Sequence, residues 1–189
     1  MAVSASLHEV APMQPIYLPV GAAPPRPEAI AAFLADAERA RPDAAAGAGY
    51  EVRWIGLDRA STQRIFELIR SGDKTGTFTL PWIVERTGQA EPTPGRRLVL
   101  IDADGTPTLL VRTTNVRRAV FGKVTAEDTA VDGSPVRDPA VWIPLHTRYW
   151  SGLLRPFGLE VSDDMPFWIE TFEIVYDAGA PEKAAAGPR

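Results

Sequence analysis

Lysine is scarce in this 189-residue sequence: Lys74, Lys123 and Lys183 stand against seventeen arginines. Lys74 lies in the hydroxyl-rich run Ser71-Gly72-Asp73-Lys74-Thr75-Gly76-Thr77-Phe78-Thr79-Leu80-Pro81-Trp82. A lysine amine beside a threonine hydroxyl is a known pairing of base and nucleophile, provided the amine is desolvated enough to shed its proton. A plainer account stands beside it. A basic residue just after a helix complements the helix dipole, which favours the charged ammonium and works against a base. In a regular strand Lys74 and Thr77 face opposite sides, so their convergence requires a bend, and Gly76 is the residue that allows one.

Composition thins out the other usual chemistries. The absence of cysteine excludes disulfides, thiolate nucleophiles, cysteine-based zinc sites and iron–sulfur clusters. There are two histidines, His8 in a Pro/Ala-rich leader and His146, so no metal site and no cofactor are expected, and a Ser–His triad would have to use His146. A net charge of −4 argues against coating nucleic acid or anionic membrane through bulk charge. The charge is uneven, however: residues 52–123 carry twelve Lys and Arg against seven Asp and Glu, while both flanking segments are acidic. The first 25 residues hold no Lys or Arg, and Glu9 and several prolines interrupt any apolar run. Neither a signal peptide nor a spanning helix is expected, and a cytoplasmic protein follows.

The elements that must position Lys74 can be read from periodicity. Pro27 and Glu28 suit a first helical turn; Ile30, Phe33, Leu34 and Ala37 follow at helical spacing until Arg41-Pro42. An Ala/Gly linker follows, and residues 50–57 predict a strand or extended turn. Asp58 or Ser61 can cap the next helix, whose stripe is Ile65, Phe66, Leu68 and Ile69, and Gly72 is placed to end it. Residues 97–103 and 108–115 flank Asp104-Gly105 as a hairpin, 117–124 predict a further strand, and the alternation of 168–176 a closing one. The fold class is α+β, a small sheet or barrel flanked by helices. The expected organisation is a leader over 1–25, a helix and linker over 26–49, one domain over 50–178 and a tail over 179–189.

Several of these pieces together resemble one family. Gly72-x-Lys74-x-x-Thr77 after a helix, Pro94-Gly95, the Asp104-Gly105 hairpin, Phe121-x-x-Val124-Thr125-x-x-Asp128 and Trp142-x-x-x-His146-x-x-Tyr149-Trp150 are similar, in order and spacing, to the ASCH domain (activating signal cointegrator homology). The resemblance runs from about Trp54 to Tyr176. It implies a PUA-like small β-barrel whose cleft is lined by the Gly-x-Lys-x-x-Thr segment, here with an N-terminal helical extension. It also implies RNA binding or, as in small bacterial members, hydrolysis of N4-acylated cytidine by the motif's lysine and threonine with a glutamate. Carried over, Lys74 activates or orients and Thr77 is the candidate nucleophile. Where larger members have Glu-Gly-Glu, this chain has Asp132-Gly133-Ser134. The candidate acid Asp132 would then have to reach one methylene further, and about 1 Å of misplacement can cost ~100-fold in rate. Glu127 and Asp128 are poorer substitutes, because Thr125-x-x-Asp128 fits a capping box. Ile143 stands where the family usually has arginine, and Pro144 follows it.

His146 shares a helical stripe with Trp142, Leu145, Tyr149, Trp150 and Leu153, which suits a packing histidine as well as a catalytic or binding one. Pro144 is expected to kink or start that helix. Arg112, Arg117, Arg118 and Lys123, with Trp54, Phe78 and Trp82, combine phosphate-holding and base-stacking residue types. The expected function is therefore binding of single-stranded RNA or a modified nucleotide or nucleoside, with Gly72, Thr75, Trp82, Arg112, Arg117, Arg118 and His146 as ligand contacts. The alternative is an amidohydrolase of N4-acylcytidine using Lys74, Thr77 and Asp132, or a ribonuclease. A domain that mediates protein contacts is the third possibility. No membrane partner is expected, and the sequence sets no oligomeric state.

Overall fold

The computed structural model describes residues 22–42 and 49–179, so most of the expected leader, linker and tail lie outside the described residues. The first helix, α1 (Pro27–Ala40), starts on a proline and buries Ile30, Phe33 and Ala37. These pack against Val52 and Trp54 of β1 (Glu51–Trp54), Val99 and Ile101 of β3 (Arg97–Ile101) and Leu110 of β4 (Pro107–Val120). The extension is thus a helix docked on one face of the sheet. Trp54, a candidate base stacker, is buried in this cluster and donates its indole N–H to the Gly56 carbonyl at 3.0 Å.

Helix α2 (Arg59–Arg70) has both expected caps at once: Asp58 accepts from the Ser61 N–H at 2.8 Å, and Ser61 Oγ accepts from the Asp58 N–H at 2.9 Å. Gly72 ends the helix with φ +76°, where Asp73 and Lys74 N–H groups both donate to the Leu68 carbonyl. Then come β2 (Gly76–Thr79) and α3 (Pro81–Thr87), a helix not foreseen from the sequence. The residues expected as two strands, 108–115 and 117–124, give one strand, β4, that continues past a bulge between Thr113 and Asn115 and ends at Val120; Phe121–Lys123 form a short 3-10 turn instead of strand. A short helix, α4 (Ala126–Thr129), leads to α5 (Pro139–Leu154), and β5 (Pro166–Asp177) closes the sheet. Pro144 neither starts nor interrupts α5, which begins at Pro139 behind an Asp138 cap.

The five strands run in the order β1-β3-β4-β5-β2, with β1 parallel to β3 and the other pairs antiparallel. The sheet curls into a half-barrel, and its two edge strands approach each other: Arg53 on β1 hydrogen-bonds to Thr79 on β2. The inner face carries Leu98, Leu100, Leu109, Val111 and Phe172 against Phe66 and Ile69 of α2. On the outer side of β5 and β2, Phe167 and Ile169 pack with Trp142, Trp150 and Leu154 of α5. Among the described residues no helix is long and apolar enough to cross a membrane.

Candidate functional site

The left-handed turn at Gly72 releases the chain from α2, and each of the next four residues is tied to the loop 131–137. Asp73 accepts from the Ser134 N–H at 2.7 Å and pairs with Arg137; Lys74 pairs with Asp132; the Thr75 and Gly76 N–H groups both donate to the Val131 carbonyl, at 2.9 and 3.1 Å. Gly76 is required by close approach, since a Cβ there would lie 2.5 Å from the Glu170 carbonyl oxygen.

Lys74 Nζ lies 2.5 Å from Asp132 Oδ1, with both side chains buried, and the Gly133 N–H donates to the same oxygen at 3.0 Å. The expectation that aspartate would fall short at this position is therefore corrected for the lysine: the 131–137 loop is pulled close enough that the shorter carboxylate reaches. The ammonium also sits 5.9 Å from the centroid of the Phe78 ring. An amine engaged in this way by a carboxylate is placed to orient a ligand and is not free to act as a base.

His146 borders this pair. Its ring stacks on Trp142, with centroids 4.0 Å apart, and meets Phe78 edge-on at 5.3 Å. Its Nδ1 lies 3.0 Å from the Trp142 carbonyl oxygen; a carbonyl only accepts, so in the neutral ring the proton is assigned to Nδ1. Burial pushes the imidazole down to about 4, against the opposing pull of the Asp132 charge and the carbonyl bond, with the Lys74 charge adding to the fall. The unfolded ring takes up its proton near 6.5, so between those values the unfolded state binds the extra proton and stability is lost as pH falls. We expect this to cost wild type about 3 kcal/mol between pH 6.5 and 4. A His146→Phe variant should lack that component in urea melts across the same range; equal pH slopes would contradict it.

Thr77 does not join Lys74. Alternation along β2 puts Phe78 on the outer side, facing Trp142 and His146, and Thr77 with Thr79 on the inner side, where Thr77 is the cross-strand partner of Glu170. Among the described residues no hydrogen bond links Thr77 to Lys74 or Asp132.

The inner side holds a charged cluster that the sequence did not announce. Arg53 donates to Glu51 at 2.9 Å and to Glu170 at 3.0 Å, Thr79 hydrogen-bonds to Glu170, and Arg96 lies 2.9 Å from Glu51. Burial opposes the charge on Arg53, but Glu170 and Glu51 outweigh it and raise the guanidinium above its ordinary value. The only signal in the sequence was a glutamate within the apolar alternation of 166–175.

The remaining candidates are dispersed. Gly72, Lys74 and Thr75 line one open groove of about 330 Å³, shared with Arg70, Phe172 and Glu173. Trp82 packs in the α5 cluster. Arg112 is taken by Glu173, with Nε donating at 2.8 Å. Arg117 pairs with Asp128, whose carboxyl is held below its usual range: burial opposes this, but hydrogen bonds from Arg117 and Thr125 prevail. That pair locks the Thr125 capping box, so neither residue is a free acid or phosphate contact. Arg118 is exposed, and among the described residues no ion pair engages it. Among the described residues no three acidic or histidine side chains gather as a metal site would.

The sequence model of the ASCH domain matches residues 53–176. In structure, the chain is similar to the ASCH domain from Lactobacillus crispatus, at 22% identity and TM-score 0.71, covering 79% of this chain and 95% of that one. It is equally similar to a protein from Enterococcus faecalis, at 21% identity and TM-score 0.71, covering 86% and 97%. No curated protein matches the sequence.

Proposed function

The chain belongs to the ASCH domain family, and from that premise we propose that it binds single-stranded RNA, or a nucleotide or nucleoside, in the groove beside Lys74. The observation that carries this reading is the buried Lys74–Asp132 pair on the wall of an open groove, at the place where the Gly-x-Lys-x-x-Thr motif stands. Removing two charges from water is expensive, and an apolar pair would hold the loop to α2 equally well. A cation fixed beside a groove is, in contrast, of direct use to a polyanion or a nucleobase carbonyl. The groove's about 330 Å³ suits one nucleotide of a strand better than a duplex. The reading includes a cytoplasmic setting and no membrane partner.

Hydrolysis is the second reading, either deacylation of N4-acylcytidine or, with less support, RNA cleavage. It is favoured by Thr77 lying opposite the buried carboxylate of Glu170. It is weakened by Lys74 being engaged by Asp132, while Thr77, on β2, faces Glu170 instead.

Thr75 is exposed and lines the groove, so Thr75→Glu introduces a negative charge without disturbing the core. Binding of a fluorescent short single strand should weaken at least tenfold in this variant. The wild-type log–log salt slope should be about −0.7 per phosphate contacted. Salt-independent binding, or affinity unchanged by Thr75→Glu, would remove the groove from consideration. Release of acetate from N4-acetylcytidine by wild type, lost in Thr77→Val, would move hydrolysis to first place.

A further inference from the structure

The inward side of α5 packs on the sheet through Trp142, Trp150 and Leu154, while Val141, Pro144, Arg148 and Gly152 stand exposed on its outward side. That outward side makes few polar demands. Among the described residues five large apolar side chains are exposed, and three of them, Val141, Ile143 and Phe157, lie on α5 or in the 3-10 turn Arg155–Phe157 after it. The helix holds no acidic residue, and two of its hydroxyls are already satisfied: Thr147 donates to the Ile143 carbonyl at 2.8 Å and Ser151 to the Thr147 carbonyl at 2.7 Å. Such a face can lose its water at little cost.

Gly152 is an independent sign. A glycine inside a helix is less stable than alanine, yet a Cβ at 152 would meet nothing within 4 Å, and the left-handed turn that ends this segment falls at Gly158 instead. Nothing within the chain asks for it. A side chain missing from an exposed helix face lets another backbone come close, since the side chains at the contact set the distance between packed helices. Charge identifies the partner. Arg148, one turn before Gly152, and Glu160, just past Gly158, are both exposed, and among the described residues no ion pair engages either. Four residues, about 6 Å of helix, separate Arg148 from Gly152 on one side and Gly152 from the 3-10 turn on the other. Two copies of α5 crossing antiparallel at Gly152 therefore bring the end of each, with its Glu160, beside Arg148 of the other.

We infer that the outward face of α5 is an interface with a second copy of this chain, an isologous dimer with Gly152 at the two-fold axis. Arg148 of each copy meets Glu160 and the carbonyl end of α5 in the other, and Phe157 of each covers Pro144 of the other. By symmetry each contact is made twice. The 16 residues of α5 span only about 24 Å, less than a standard interface offers, so a dissociation constant of about 10 µM is expected. The inference does not rest on the nucleotide reading, because this face shares no residue with the Lys74 groove.

The test is sedimentation equilibrium of the intact chain from about 1 to about 200 µM, across which the mass should rise from one chain to two and stop there. A single chain at the highest concentration overturns the inference and gives the face to a different partner; growth beyond two chains overturns the closed two-fold. Gly152→Leu should abolish the dimer without lowering the melting temperature of the monomer, because leucine is the better helix former. A Gly152→Leu dimer as tight as wild type overturns the inference. Arg148→Glu and Glu160→Arg should each weaken association at least about tenfold, and the two together should restore it to within about threefold. Single variants without effect, or a double variant as weak as either, also overturn it. Thr75→Glu should leave the dimer intact; a dimer broken by Thr75→Glu and not by Gly152→Leu would place the contact at the groove and sink this one.

Discussion

Replacing Arg53 with methionine should destabilise the protein by about 3–5 kcal/mol, more than an exposed ion pair is worth. The guanidinium spans the curl of the sheet. Arg53 stands on β1 at one edge, pairs with Glu51 of the same strand, and reaches Glu170 on β5 and Thr79 on β2 at the other. Backbone pairing cannot do this, because β1 and β2 lie at opposite ends of the strand order. Methionine fills a similar volume but leaves Glu170, which is fully buried, as an uncompensated carboxylate; Glu51 keeps Arg96. The variant's deficit is measured by urea unfolding at neutral pH. Adding Glu170→Gln should restore part of the loss, because it removes the uncompensated buried charge. A loss under about 1 kcal/mol would mean that the cluster is solvated and does not hold the half-barrel closed.

This cluster also marks where sequence reading ended. Helix ends were legible because their chemistry is local: Asp58 and Ser61 cap within three residues, and Gly72 terminates α2 by its own φ. The capping box at Thr125 was legible for the same reason, and its presence explains why Asp128 and Arg117 are occupied with each other. Asp132 was found through motif order, although its reach depended on the loop 131–137 being drawn in by Asp73, Thr75 and Gly76. Arg53 and Glu170 are 117 residues apart and meet only because the sheet curls. Alternation places Glu170 opposite Ile169 correctly, but whether that face is wet or buried is a property of the closed sheet, not of the strand. The same limit affected Lys74 and Thr77. Lys74 precedes β2, which begins at Gly76, and its side chain meets Asp132 and Phe78 while Thr77 lies opposite Glu170, so the two do not converge.

The second large effect is expected at the pair itself. Lys74→Met should cost about 3–5 kcal/mol, because among the described residues Asp132 is left buried with the Gly133 N–H as its one side-chain hydrogen-bond partner. Asp132→Leu should cost a similar amount by stranding the ammonium beside Phe78 and His146. The double replacement Lys74→Met with Asp132→Leu removes both charges together, so it should cost far less than the sum, with a coupling of about 2 kcal/mol or more. This separates two ideas that single variants confuse. If the pair exists for the ligand, the double variant folds nearly as well as wild type while binding to the short single strand is lost. If the pair serves only to fasten the loop, the apolar double variant folds nearly as well and still binds the short single strand, so the binding measurement decides between them. Asp132→Glu provides the complement. Because the aspartate already reaches the ammonium at 2.5 Å, a further methylene has no space to occupy and should cost about 1–3 kcal/mol, with no gain in binding. An Asp132→Glu chain as stable as wild type and tighter in binding would show instead that the loop yields, and that the shortened acid limits this site.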